Sequence, residues 1–251
     1  FERTGRHGVV LSTAGQHVYE AGLEHRRIDH NLAAQLASLS GDKVPLRIGL
    51  IDSIAAMLSA HDEPLKTLET QTELSLYVEN STALRQGVRQ SKLDVAIVVA
   101  DDAQDDRLEV AASAADTLFM VCAPGVAAQL EHDIAAGQAI PFLSYVQESA
   151  TYGVIERALR HAKIAVSTIV YSTSPDSMLA MASRGRGAVV LPEILVASKL
   201  QSGELVRLAH AGKPVSVQRR LHVVTLRGRK LPPRLAALAF AMREQLSDFT
   251  A

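Results

Sequence analysis

Apolar residues in this chain follow one period at its start and another after residue 45. From residue 13 to about 39, Val18, Ala21, Ile28, Leu32, Leu36 and Leu39 recur at spacings of three, four and seven. Those spacings put them on one face of a long helix. Ser12 or Thr13 is placed to cap its first turn, and Gly41, with Pro45 beyond, to end it. At about 1.5 Å per residue the helix is a rod of about 40 Å. A rod with one apolar stripe leaves that stripe wet unless something covers it. The pattern therefore predicts helix-to-helix dimerisation through Val18, Ile28, Leu32, Leu36 and Leu39, with packing on its own domain as the alternative.

From Leu46 the apolar residues form short runs. Residues 46–51, 74–78 and 93–99 read as strands, with helices from Ser53 and over 81–90 between them. The third run is nearly all apolar, which places it centrally in a parallel sheet. A second set follows: a strand around Phe119, a helix over 126–137, a strand over 142–146 and a helix over 152–162. Strands over 166–171, 188–191 and 221–226 and helices over 176–184 and 231–247 complete it. Strands alternating with helices at this spacing make βαβ units. Two half-size units, with a last helix able to return to the first, predict an α/β chain of two hinged lobes.

At 251 residues the chain is long enough for more than one domain. Its net charge of -1 supplies no basic field for binding nucleic acid unaided. Cys122 is the single cysteine, so no internal disulfide forms, and its apolar neighbours predict a packed, inert thiol. No apolar run approaches the roughly 18 residues that span a bilayer, and the polar start is no secretory signal. The simplest address is cytoplasmic.

Catalytic and cofactor motifs are absent: there is no Gly-x-Ser-x-Gly elbow, His-Glu-x-x-His pair or phosphate-binding loop. Gly185-Arg186-Gly187 lacks the third glycine of a dinucleotide loop and reads as a tight helix-to-strand turn. Asp101-Asp102 and Asp105-Asp106 lack the glycine and closing glutamate of a calcium loop. His61-Asp62-Glu63 sits at an exposed helix end. The reading is a protein without a reaction, a cofactor or a metal.

Ligands of open α/β sheets bind beyond the carboxyl ends of the strands, and a crevice between lobes suits a small molecule. Asp52 and Ser53, Asn80 and Ser81, Ser144 and Tyr145, and Thr173 and Ser174 fall there. Most precede helices, whose free N–H groups favour a carboxylate or other small anion. Capping alone explains each residue singly; their convergence on one crevice favours ligand contact. Asp52 argues against an anion if its side chain points inward, which leaves an amine or a polyhydroxy compound open.

The opening residues, Phe1-Glu2-Arg3-Thr4-Gly5-Arg6 through Val10-Leu11-Ser12-Thr13-Ala14-Gly15, resemble the wing and linker-helix start of LysR-type transcriptional regulators, "F-x-R…V-x-L-T-x-A-G". Leu46-Arg47-Ile48-Gly49, Leu93-Asp94-Val95-Ala96-Ile97 and Gly185 to Pro192 are similar to that family's effector-domain opening strand, "L-D-x-A-I" strand and "G-x-G-x-x-x-L-P" turn. Ser59-Ala60 departs from the family's Leu-Pro and leaves the end of the first lobe helix open.

The resemblance implies two Rossmann-like lobes of the periplasmic-binding-protein type, joined by crossover strands and preceded by a linker helix. It divides the chain into a wing remnant over 1–12, a linker helix over 13–41, lobe I over 46–119 and 227–251, and lobe II over 120–226. Most of the helix-turn-helix is then absent. It implies Arg3 and Arg6 as wing contacts to DNA, phosphate-positioning rather than sequence-reading, with two solvated arginines as the equal alternative. Ser53 (or Asp52), Ser81, Ser144 and Thr173 or Ser174 become effector contacts. The implied partners are DNA through the missing domain, a small-molecule effector, a second copy in a dimer or tetramer, and RNA polymerase. A transport solute-binding protein or a small two-lobe transferase are the alternatives.

Overall fold

A computed structural model describes residues 1–4, 8–40, 43–60, 62–70, 72–100 and 105–229. Strands β1 (Glu2–Thr4) and β2 (Gly8–Val10) form an antiparallel hairpin. Helix α1 (Thr13–Ser40) follows, its first turn capped by Ser12 Oγ, which accepts from the Gly15 N–H at 3.2 Å. Val18, Ile28, Leu32, Leu36 and Leu39 are all exposed, from 51% at Ile28 to 83% at Leu39. Two polar contacts tie α1 to the body: Arg26 donates to the Gln90 carbonyl at 3.2 Å, and Arg107 pairs with Glu20. The stripe is thus not consumed by the chain's own core.

The body starts with β3 (Val44–Leu50), α2 (Asp52–Ala60), α3 (Glu63–Glu69), β4 (Thr72–Val78), α4 (Ser81–Arg89) and β5 (Val95–Val99). Strand β3 lies parallel to both β4 and β5. A long strand, β6 (Leu108–Cys122), leads to α5 (Pro124–Ala135), β7 (Ile140–Tyr145), α6 (Ala150–His161), β8 (Val166–Ser172), α7 (Pro175–Ser183), β9 (Ala188–Pro192) and α8 (Glu193–Gln201). Short strands β10 (Val206–Arg207), β11 (Ala209–His210) and β12 (Lys213–Pro214) precede the returning β13 (Ser216–Leu226). Among the described residues the main sheet runs β4-β3-β5-β13-β6-β9-β7-β8, with β10 added to β6.

Two apolar cores lie along this sheet. One gathers Ile48, Leu50, Ile54, Leu84 and Ile97; the other gathers Met120, Phe142, Leu143, Met178 and Val190. Strand β13 gives Val217 to the second and Leu221 to the first, and β6 gives Leu118 to the second and Leu108 to the first. The crossover strands therefore belong to both lobes.

The structure corrects several expectations. The strand expected at Phe119 is fifteen residues long, its first part hidden in Ala111-Ala112-Ser113-Ala114-Ala115, whose small side chains carry little strand preference. Pairing with β13 from Leu108 to Phe119 compensates. Strand β5 is parallel only to β3, because the antiparallel β13 lies on its other side. Helices α3 and α8 and strands β10–β12 add to the elements expected from the sequence. Helix α2 continues through Ser59-Ala60. Gly41, His61, residues 101–104 and the helix expected over 231–247 lie outside the described residues, as does Arg6.

Gly187 fixes the α7-to-β9 turn. Its φ is +156°, and a Cβ there would sit 2.6 Å from the Pro141 carbonyl oxygen, so no other residue lets β9 close on β7. The Asp94 carboxylate, 1% exposed, accepts from the Arg47 backbone N–H at 2.6 Å and from the Arg229 guanidinium at 2.7 Å. The aspartate of "L-D-x-A-I" is thus a clamp between β3 and the segment that follows β13.

Candidate functional site: a cleft between the lobes

The carboxyl ends of β3, β4 and β5 and the starts of α2 and α4 face the starts of α6 and α7 across a cavity of about 610 Å³. That volume suits a small organic molecule. Ile51, Asp52, Ser53 and Ala56 form the β3–α2 side; Glu79, Asn80 and Ser81 form the β4–α4 side; Tyr145, Glu148, Ser149, Thr151, Thr173, Ser174 and Asp176 form the opposite wall. Seven of the eight residues expected there line it. Ser144 does not, because neighbours on a strand face opposite sides and Tyr145 takes the cavity side of β7.

The hydroxyls and amide at this cavity also have structural duties. Asn80 Oδ1 accepts from the Ala83 N–H at 2.9 Å and Ser174 Oγ from the Ser177 N–H at 3.3 Å, so both are N-caps. Ser81 Oγ accepts from the Val99 N–H at 3.1 Å and locks α4 to β5. Ser53 Oγ accepts from Arg219 at 2.8 Å. Ser53 and Ser81 each keep a hydroxyl proton to donate.

Arg219 is the residue that sequence reasoning missed. It lies buried on β13 in register with Asp116 of β6, and the two pair at 2.6 Å with side chains 1% and 3% exposed. The guanidinium also donates to Thr151 Oγ1 at 2.9 Å and to Ser53 Oγ. One cation therefore joins α2 of the first lobe, α6 of the second and both crossover strands. The signal existed: Arg219 alternates in phase with Val217, Leu221 and Val223, and Asp116 with Leu118 and Met120. A charge in the apolar phase of a strand must meet an opposite charge.

The cavity is more charged than expected from its neutral hydroxyls. Asp52, Glu79, Glu148 and Asp176 all line it. Partial burial, then Glu79, then Asp176 hold the Asp52 carboxyl above its ordinary pKa. Tyr145 is buried and its hydroxyl has no partner among the described residues. Burial raises its pKa, outweighing nearby Arg219, so the phenol stays neutral and able to donate. Cys122, fully buried in β6, is pushed up to about 11 by burial and then by Glu131, which leaves no thiolate at neutral pH. Arg3 stands opposite Val9 in the β1–β2 hairpin, far in sequence from the cleft. Among the described residues no helix is long and apolar enough to cross a membrane.

Comparison with known proteins agrees with this architecture. The model of the LysR substrate binding domain matches residues 40–247. The regulatory domain of HypT from Salmonella typhimurium aligns at TM-score 0.62 and 19% identity, covering 81% of this chain and 96% of that one. Full-length HypT, a hypochlorite-specific LysR-type regulator, aligns at TM-score 0.63 and 20% identity over 94% of this chain and 80% of its own. The effector-binding domain of QuiR, solved with shikimate, aligns at TM-score 0.62 and 15% identity, covering 81% and 99%. At these identities the structural likeness speaks for the fold. No curated protein matches the chain in sequence.

Proposed function

The chain belongs to the LysR-type transcriptional regulators through their substrate-binding domain, and on that basis we propose that its inter-lobe cleft holds a small organic effector that sets the angle between the lobes. The observation that carries this reading is Arg219, whose bonds to Ser53 and Thr151 put one buried side chain against both lobes at the back of the cavity. A molecule wedged between α2 and α7 changes the lobe separation that this knot spans. It shifts the protein only as far as it prefers one arrangement over the other. QuiR's complex with shikimate supports an organic metabolite as the occupant.

The signal leaves through α1. Arg107 lies one residue before β6 and pairs with Glu20 on that helix, so rotation of a crossover strand pulls directly on it. The exposed stripe of α1 serves as the contact with a second copy, and the β1–β2 hairpin with Arg3 serves as the wing beside DNA. In this reading the chain divides into wing (1–12), linker (13–41) and two effector-binding lobes that share β6 and β13.

Thermal-shift screening of a metabolite collection tests the cleft, with Ala56→Trp as control. Ala56 is a cavity wall at partial exposure, so tryptophan there fills the space without entering a core. The expected result is a compound that raises the Tm of the natural chain and not of Ala56→Trp. Equal stabilisation of both would place the compound elsewhere and defeat the proposal.

A further inference from the structure

Resting on that assignment of the cleft, we propose that its effector is an organic cation: a protonated amine held by Asp52, Glu79 and Asp176, on a molecule that also offers a hydrogen-bond acceptor to the Tyr145 hydroxyl. The argument is one of charge. Among the described residues lining the cavity, Arg219 is the only positive side chain, against Asp52, Glu79, Glu148 and Asp176. Arg219 is itself neutralised by Asp116, which is buried behind it. Its Nε, Nη1 and Nη2 already donate to Asp116, Thr151 and Ser53, so the pair adds no net positive charge for an anionic ligand.

Helix starts are the counterweight. Helices α2, α4, α6 and α7 begin at the cavity, and each start carries about half a positive charge. Together they offset about two of the four carboxylates, so the cleft stays negative by about two charges. Asp52 and Asp176 stand in the first turns of α2 and α7, where an acid is ordinarily stabilised by the helix. Asp52 departs from that rule: its carboxyl is held up by partial burial and by the like charges of Glu79 and Asp176. A purely structural first-turn acid would be pulled the other way.

Position adds a mechanical consequence. Asp52 and Glu79 belong to the first lobe and Asp176 to the second, so an unoccupied cleft sets like charges against each other across the hinge. A cation between them removes that repulsion and favours closure. Exposed carboxylates act weakly one at a time, but walls of one sign concentrate their field in a cleft. The Tyr145 hydroxyl gives orientation, since a buried donor without a partner gains most from an acceptor that enters with the ligand.

The test is an NMR titration of the full chain with compounds matched in shape and opposite in charge: tyramine against hydroxyphenylpropionate, putrescine against succinate, glucosamine against glucuronate. At least one amine is expected to move the backbone amide signals of Ser53, Ser81 and Thr173 while its carboxylate counterpart does not. Asp52→Asn and Asp176→Asn should each weaken that amine about tenfold, equivalent to about 1.4 kcal/mol. Preferential response of those amides to a carboxylate, or to no amine at all, overturns the cation assignment. If a neutral or anionic compound from the thermal screen loses its effect in Ala56→Trp, the cleft reading survives and only the charge assignment falls. Signals that move only outside the cleft count against both.

Discussion

Arg219 donates to Ser53 Oγ at 2.8 Å although 166 residues separate them. The contact joins the last described strand, β13, to the first helix of the first lobe, and it is held in place by Asp116, the cross-strand partner of Arg219. Removing one member of a buried pair strands the other charge, which costs about 3–5 kcal/mol, whereas replacing both with apolar residues of similar size is close to neutral. Arg219→Met is therefore expected to lose about that much in urea unfolding, and Asp116→Leu with Arg219→Met to recover most of it. The double variant should nevertheless lose effector response, because nothing then links Ser53 to Thr151. An Arg219→Met chain as stable as the natural one would show that the pair does not hold the hinge.

Ser81 makes a second structural contribution at the cleft. Its hydroxyl satisfies the buried Val99 N–H, and a buried donor left unpaired costs about 1–3 kcal/mol. Ser81→Ala should lower stability by that amount, in the absence of any ligand, and by more than Thr173→Ala, whose side chain is exposed. Equal unfolding midpoints for the two variants would contradict the lock between α4 and β5.

Asp52 gives the chain a pH dependence whose sign is fixed. The folded state holds this proton above the ordinary value of 3.8, more tightly than the unfolded chain does. Stability therefore declines as pH rises from there through the raised value, and at neutral pH the ionised carboxylate is a net burden. Asp52→Asn should raise the Tm at neutral pH and leave it unchanged near about pH 3, where both states are protonated. A lower Tm for the variant at neutral pH would reverse the reading of Asp52 as crowded by Glu79 and Asp176.

The proposed role of the α1 stripe can be tested apart from folding. Leu32 and Leu36 are 52% and 57% exposed, so Leu32→Asp with Leu36→Asp should disturb the body little while halving, or further reducing, the mass seen by light scattering. A chain starting at Lys43 should behave in the same way. An unchanged mass for either would remove α1 as the contact between copies.

The parts of this molecule that follow a simple period were legible in the sequence: α1 from its stripe, β3 and β5 from apolar runs, Gly187 from its place between α7 and β9. Most of the cleft walls followed from the rule that ligands gather beyond strand ends. The first part of β6 was not legible, because Ala111 to Ala115 carry no strand preference and are held by their partner β13. Ser144 was misplaced because a two-residue window at a strand end does not say which residue faces the cavity. Arg219 was missed because an arginine beside a second arginine, Arg220, reads as surface until its alternation with Val217 and Leu221 is compared with that of Asp116. The negative character of the cleft was equally hidden, since Asp52, Glu79, Glu148 and Asp176 meet only after four separate segments fold together.

The most direct measurement is a crystal structure of the chain with a compound that stabilises it. The account predicts density for that compound between the start of α2 and the start of α7, within reach of Asp52 and the Tyr145 hydroxyl, with the lobe angle changed from that of the free protein. A compound bound on any other surface, with the cleft filled only by solvent and the lobes as before, would contradict it.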